Sequence, residues 1–156
     1  MKDNQQLLIV AHAPSPNTRR MVDAVLRGAR HPDVEAVSVH WIPPLEATAD
    51  DVLACDAIIL GTSENLGYMS GALKDFFDRI YYPCLEQTEG LPYVLYVRAG
   101  MDGTGTKRAV AAIASGLRWQ AVQEPLTCRG EWQDSFADDC EELGTYMAAG
   151  LDARIF

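Results

Sequence analysis

Short apolar runs alternate with amphipathic stretches along the whole chain. Leu7-Leu-Ile-Val-Ala11 is continuous and apolar, the pattern of a strand buried on both faces. A stretch with Met21, Val22, Val25, Leu26 and Ala29 on one side follows and predicts a helix that ends before Pro32. Ser15 is placed to cap it and Pro16 to occupy its first position. Val34 to Trp41 alternates and reads as a second strand nearer an edge; Ile42-Pro-Pro-Leu45 is a rigid connector. Thr48-Ala-Asp-Asp51 has the form of a capping box and opens a short helix through Val52 and Leu53. Ala57-Ile-Ile-Leu60 is a third buried strand, and Thr62 to Met69 reads as a loop leaving its carboxyl end. Leu73, Phe76, Phe77 and Ile80 then fall at i, i+3, i+4 and i+7, one face of a helix capped by Ser70 and stopping at Pro83.

The second half repeats the rhythm. After a loop from Cys84 to Leu91, Pro92-Tyr-Val-Leu-Tyr-Val97 is a fourth strand, and Arg98 to Gly105 is a Gly-rich turn. A helix from Lys107 to Leu117 carries Val110, Ile113 and Leu117. Trp119 to Thr127 contains a fifth strand broken by Pro125, which suits an edge. The last helix, from Ser135, buries Phe136, Cys140, Leu143, Met147 and Leu151. Such alternation of strand and helix argues for an α/β doubly wound parallel sheet with right-handed crossovers. Strand order does not follow from it.

At 156 residues the chain is long enough for one domain, 1–156, and too short for two ordinary ones. The net charge of −9 disfavours nucleic acid and anionic membranes as partners, since both would repel this surface. Cys55, Cys84, Cys128 and Cys140 form no C-x-x-C pair and have no metal-ligand spacing, so they read as free thiols of a reducing cytosol. The first residues contain no signal-peptide apolar core, and no apolar run approaches membrane-spanning length. The expectation is a soluble, cytoplasmic protein without a metal. His12, His31 and His40 are dispersed, and no Ser/His/Asp set, H-E-x-x-H or paired carboxylates stand out.

The segment Gly67-Tyr-Met-Ser-Gly-Ala-Leu-Lys-Asp-Phe-Phe-Asp-Arg79 resembles the loop–helix segment of the flavodoxin-like superfamily. Its nearest pattern is the branch of NADPH-dependent FMN reductases and NAD(P)H quinone reductases. The resemblance implies a three-layer, five-stranded parallel sheet in the order 2-1-3-4-5. Ligands of such sheets lie outside the carboxyl ends of the strands, where the order reverses. Here that is between the loops after the first and third strands, with the fourth loop beside them.

Each of these loops has chemistry suited to FMN. The first, His12 to Thr18, ends at a helix N-terminus whose free amides and dipole favour an anion, with hydroxyls at Ser15 and Thr18. It resembles a flavodoxin phosphate loop, which implies FMN phosphate contacts from Ser15, Asn17 and Thr18, with His12 at its mouth. The loop departs from the family in having no glycine and prolines at 14 and 16. The second holds Ser63, Glu64, Asn65, Leu66, Gly67, Tyr68 and Met69, which the resemblance sets against the flavin ring. Asn65 and backbone amides would meet its polar edge, and Tyr68 or Met69 its dimethylbenzene side; alternatively these two only cover the helix end. The third holds Gly100, Gly103 and Gly105, with Met101 and Asp102 at its tip, and the resemblance implies that it pinches the ring from the other side. An anionic Asp102 there would lower the flavin potential; a solvated turn aspartate is the equal alternative.

The resemblance implies an FMN-dependent oxidoreductase that uses NADPH or NADH and serves a quinone, a second flavin or another small acceptor, commonly as a homodimer or homotetramer. A flavodoxin-type electron carrier without enzymatic activity is the competing reading, and a module that has lost its cofactor is a third. A response-regulator receiver is excluded, because Ala11-His12 and Gly61-Thr62 stand where it needs acidic residues.

Overall fold

The computed structural model describes residues 4–156. In chain order the elements are β1 (Gln5–Ala11), α1 (Pro16–Ala29), β2 (Val37–Ile42), α2 (Ala49–Leu53), β3 (Ala57–Asn65), β4 (Tyr68–Met69), α3 (Gly71–Cys84), β5 (Pro92–Ala99), α4 (Thr104–Gly116), β6 (Gln120–Ala121), β7 (Leu126–Arg129) and α5 (Ser135–Asp152). The sheet runs β2-β1-β3-β5, and both β6 and β7 pair with β5. All these pairings are parallel. With β6 and β7 counted as one interrupted strand, this is the 2-1-3-4-5 order of a flavodoxin-like fold. Pro125 lies in the interruption, where a missing N–H breaks no ladder.

The central strands are apolar throughout because both faces are covered. Leu7, Ile9 and Ala11 of β1, with Ile59 of β3 and Tyr96 of β5, pack against α1 and α5. Leu8, Val10, Ile58, Leu60, Leu95 and Val97 point the other way, against α3 and α4. The helical stripe read from the sequence on α3 is buried: Leu73, Phe76, Phe77 and Ile80 are each at most 1% exposed. Each such side chain contributes about 1.5–3 kcal/mol relative to leaving it in water. Cys84, Cys128 and Cys140 are buried and Cys55 half-buried, all as free thiols.

Besides small extensions of β1 and β5, four segments differ from the sequence expectation. β2 begins at Val37 rather than Val34, because Val34 closes a turn onto the carbonyl of His31. α3 runs through Pro83 to Cys84; the proline costs its own bond in the last turn, after which the Leu85 amide still donates to the Tyr81 carbonyl (2.9 Å). α4 begins at Thr104, three residues before Lys107, with Gly103 at φ +70° as its N-cap. The largest difference lies between Thr62 and Met69. That segment is a β-hairpin, with β3 continuing to Asn65 and β4 returning antiparallel beside it. Leu66 and Gly67 form its two-residue turn at φ +53° and +74°, the left-handed pair that tight hairpins require.

Arg79, the last residue of the family-like motif, is structural. Its guanidinium donates to the carbonyls of Pro44 (2.6 Å) and Ala47 (2.7 Å), fastening the β2–α2 connector to α3.

Candidate functional site

The registers bring three loops to one edge of the sheet. Ala11 of β1 pairs with Gly61 of β3, and Ser63 of β3 pairs with Arg98 of β5. The segments 12–15, 62–70 and 100–103 therefore leave neighbouring strands at the same end.

The first loop is anchored by the His12 amide, which donates to the Gly61 carbonyl at 3.0 Å. α1 then starts with a complete capping box. The Thr18 amide donates to Ser15 Oγ (3.2 Å), and the Ser15 amide donates to Thr18 Oγ1 (2.9 Å). Both side chains signalled in the sequence are thus occupied with each other. Pro14 and Pro16 contribute no N–H, so the donors left facing the loop are few. Asn17 makes no side-chain hydrogen bond among the described residues and is half-buried. Imidazole Nδ1 of His12 is buried without a partner, and burial lowers its pKa, favouring the neutral ring. No acidic residue lies in the first turn of α1.

Two aromatic–arginine pairs flank this loop, and neither tryptophan was singled out in the sequence. Trp41, at the end of β2, donates its indole N–H to the carbonyl of Ala11 (3.1 Å), and the guanidinium of Arg19 lies 4.8 Å from its ring centroid. Arg20 lies 4.6 Å from the ring of Trp132 and pairs with Asp134, whose carboxyl it holds below the usual range. Arg98 approaches the same indole at 5.9 Å. A tryptophan at the end of the second strand, and another in the connection before the last helix, are the signal that could have found them.

The hairpin is the second loop. Thr62 Oγ1 accepts from the Ser70 amide (2.9 Å), and Ser70 Oγ accepts from the Leu73 amide (3.2 Å), confirming Ser70 as the α3 cap. Ser63 donates to the side chain of Asn65 (2.9 Å). Tyr68 and Leu66 are exposed, whereas Met69 is buried in the core with Leu73 and Phe76. Of the two side chains considered for ring contact, Met69 therefore covers the core and Tyr68 faces outward.

The third loop is joined to the second. The Glu64 carboxylate accepts from the Met101 amide (2.7 Å) and the Gly103 amide (2.8 Å). Asp102 turns back onto α4: the Thr104 amide donates to it at 3.0 Å. That bond, and then the Thr104 hydroxyl, hold the Asp102 carboxyl below the usual range. Gly105 packs so tightly on the hairpin turn that a Cβ there would lie 2.0 Å from the Gly67 carbonyl oxygen.

Among the described residues no group of His, Cys, Asp and Glu is arranged to hold a metal ion, and no helix is long and apolar enough to cross a membrane.

The comparisons with known proteins agree with the fold. Structural neighbours include a flavodoxin from the domain Archaea, with a TM-score of 0.79 at 19% identity, covering 94% of this chain and 99% of the other. A flavodoxin, WrbA-like protein from Agrobacterium tumefaciens has a TM-score of 0.75 at 18% identity, covering 96% of this chain and 99% of that one. At these identities the likeness establishes the fold. A curated relative from Aquifex aeolicus (strain VF5), named flavodoxin, is 29% identical over 112 residues. That match takes in 72% of this chain but only 60% of the relative's own length. The family model described as NADPH-dependent FMN reductase matches residues 7–128, from β1 through β7 and across all three loops. The chain belongs to the NADPH-dependent FMN reductase family.

Proposed function

We propose that this protein binds FMN at the carboxyl edge of β1, β3 and β5, and that it is an oxidoreductase taking hydride from NADPH or NADH. Electrons then pass to a small acceptor, such as a quinone or a second flavin. The observation that carries this reading is the meeting of three loops on adjacent strands, all inside the segment matched by the FMN reductase family.

The residues present fit the cofactor. The start of α1 supplies a positive dipole end free of acidic side chains, the Asn17 amide and the unpartnered Nδ1 of His12. Ser15, Asn17 and Thr18 would hold the phosphate, with His12 beside the ribityl chain. Two prolines make this cradle poorer in backbone donors than a Gly-rich loop, and the Ser15 and Thr18 hydroxyls would reach the phosphate by exchanging their mutual cap for it. Ser63, Glu64, Asn65, Leu66, Gly67, Tyr68 and Met69 on one side, and Gly100, Met101, Asp102 and Gly103 on the other, would frame the ring. In this frame Met69 acts from the core, supporting the hairpin from beneath.

FMN, when bound, accepts hydride and passes electrons on singly or in pairs. The chain's part is to orient the ring, keep water from one face and leave the other open to substrates. Exposed Leu66, Tyr68 and Met101 give the rim an apolar surface, which supports docking of a flat acceptor. The same patch is available to a second copy in a homodimer or homotetramer.

The flavodoxin name of the Aquifex relative favours a second reading, an electron carrier reduced only by a partner protein. Anaerobic stopped-flow mixing of the FMN-loaded protein with NADPH, and separately with NADH, separates the two. Direct bleaching of the flavin's visible absorbance in the absence of other proteins is expected for the reductase. Flavin that stays oxidised with both nucleotides identifies the carrier.

A further inference from the structure

Glu64 is the only side chain that ties the hairpin to the loop between β5 and α4 by hydrogen bonds among the described residues. It stands 37 and 39 residues from the two amides it binds, so the contact is tertiary and closes no local turn. Both amides belong to the loop that faces the proposed flavin ring, and both are consumed by one carboxylate. We propose that Glu64 is a positioning residue: a strap that fixes the spacing of the two loops and withholds the Met101 and Gly103 N–H groups from the flavin. This inference rests on FMN binding at the site.

Two consequences follow from the bonding. The spacing between the loops is set by a side chain with two acceptor atoms, one for each amide. A shorter side chain unties it, and an amide side chain of the same shape keeps one acceptor and loses the other. The strap also places negative charge beside the crevice while removing two donors from it. Both effects disfavour the reduced flavin, which carries the extra negative charge, relative to the oxidised form. Glu64 is thus a device for keeping the bound flavin strongly reducing. Asp102 accepts from the Thr104 amide of its own helix and, among the described residues, makes no hydrogen bond to the hairpin.

The test uses Glu64→Gln and Glu64→Ala in the full chain, with two readouts. Amide hydrogen exchange in the FMN-free protein reads the strap itself. Protection at Met101 and Gly103 should fall in both variants, more in Glu64→Ala, with the core strands unchanged. Dissociation constants for oxidised and reduced FMN read its effect on the cofactor. Glu64→Gln should shift their ratio by about tenfold toward the reduced form, which raises the two-electron potential by about 30 mV. Glu64→Ala should in addition bind oxidised FMN more weakly. Unchanged protection in Glu64→Ala, or a potential that neither substitution moves, overturns the proposal. Should the parent protein take up no FMN, the FMN-binding reading itself fails and the tuning role with it, while the exchange data still decide whether the strap exists.

Discussion

Gly105→Ala should weaken FMN binding by roughly 5- to 150-fold while leaving the thermal midpoint nearly unchanged; these figures follow from about 1–3 kcal/mol of overpacking strain. The cause is geometric. A Cβ at position 105 would stand 2.0 Å from the carbonyl oxygen of Gly67, and backbone cannot turn aside as a side chain can. The hairpin turn must therefore lift away from the start of α4. It can do so cheaply in the free protein, because Asn65, Leu66 and Gly67 are exposed at the tip. Strain that the free protein relieves by opening reappears when the hairpin must close on a ligand, so it is felt in affinity. Titration with FMN and a melting curve on the same sample check both halves. A melting point lowered by many degrees, with affinity intact, would show that the hairpin is part of the cooperative core instead.

Gly28→Ala should do the opposite. Here the new Cβ would meet the Glu141 carbonyl oxygen at 1.8 Å, in the buried crossing of α1 and α5. Neither helix can yield alone. Met21, Val22 and Val25 on α1, and Cys140, Leu143 and Met147 on α5, pack against the same face of the sheet. The Thr145 hydroxyl also lies 3.0 Å from the Gly28 carbonyl, fixing the crossing further. The gain in helix propensity from Gly to Ala, about 1 kcal/mol, offsets part of the clash. With the clash at the upper end of the usual range of about 1–3 kcal/mol, because both partners are backbone, we expect a net loss of about 2 kcal/mol, or roughly 4–8 °C in melting temperature for a domain of this size. Urea or thermal unfolding followed by far-UV circular dichroism measures it, and a variant as stable as the parent would show that the helices separate at little cost.

These two glycines also mark how far the sequence was legible. Periodicity identified the strands and helices because the central strands are buried on both faces and the helices on one, and burial of that kind writes itself into apolar spacing. It missed the hairpin because β3 changes character along its length. Ala57 to Leu60 are buried, but Glu64 and Asn65 project past the core into polar surroundings, where strand residues need not be apolar. The turn carries Leu66 in a left-handed conformation, where Asn or Asp would have signalled it.

The meeting of three loops at one edge of the sheet was legible, their wiring less so. Ser15 and Thr18 were expected to face an anion, and the structure uses both in a reciprocal cap that rigidifies the helix start. Glu64 was grouped with the ring-side residues, yet its bonds run to Met101 and Gly103, a long-range pairing that no local spacing encodes. Asp102 was read either as an anion beside the ring or as a solvated turn aspartate, and its carboxylate accepts from the Thr104 amide of its own helix. Trp41 and Trp132 gain their places beside the first loop only through the order of the strands.

Parallel titrations of the FMN-free protein with FMN and with riboflavin would decide whether the start of α1 is an anchor for phosphate. Flavin fluorescence and the visible absorption band report binding of each. FMN should saturate at one per chain, and riboflavin should bind about a hundredfold more weakly, the loss expected when charge-assisted hydrogen bonds at a helix N-terminus are removed. No saturable binding of FMN, or equal affinity for the two flavins, would contradict it.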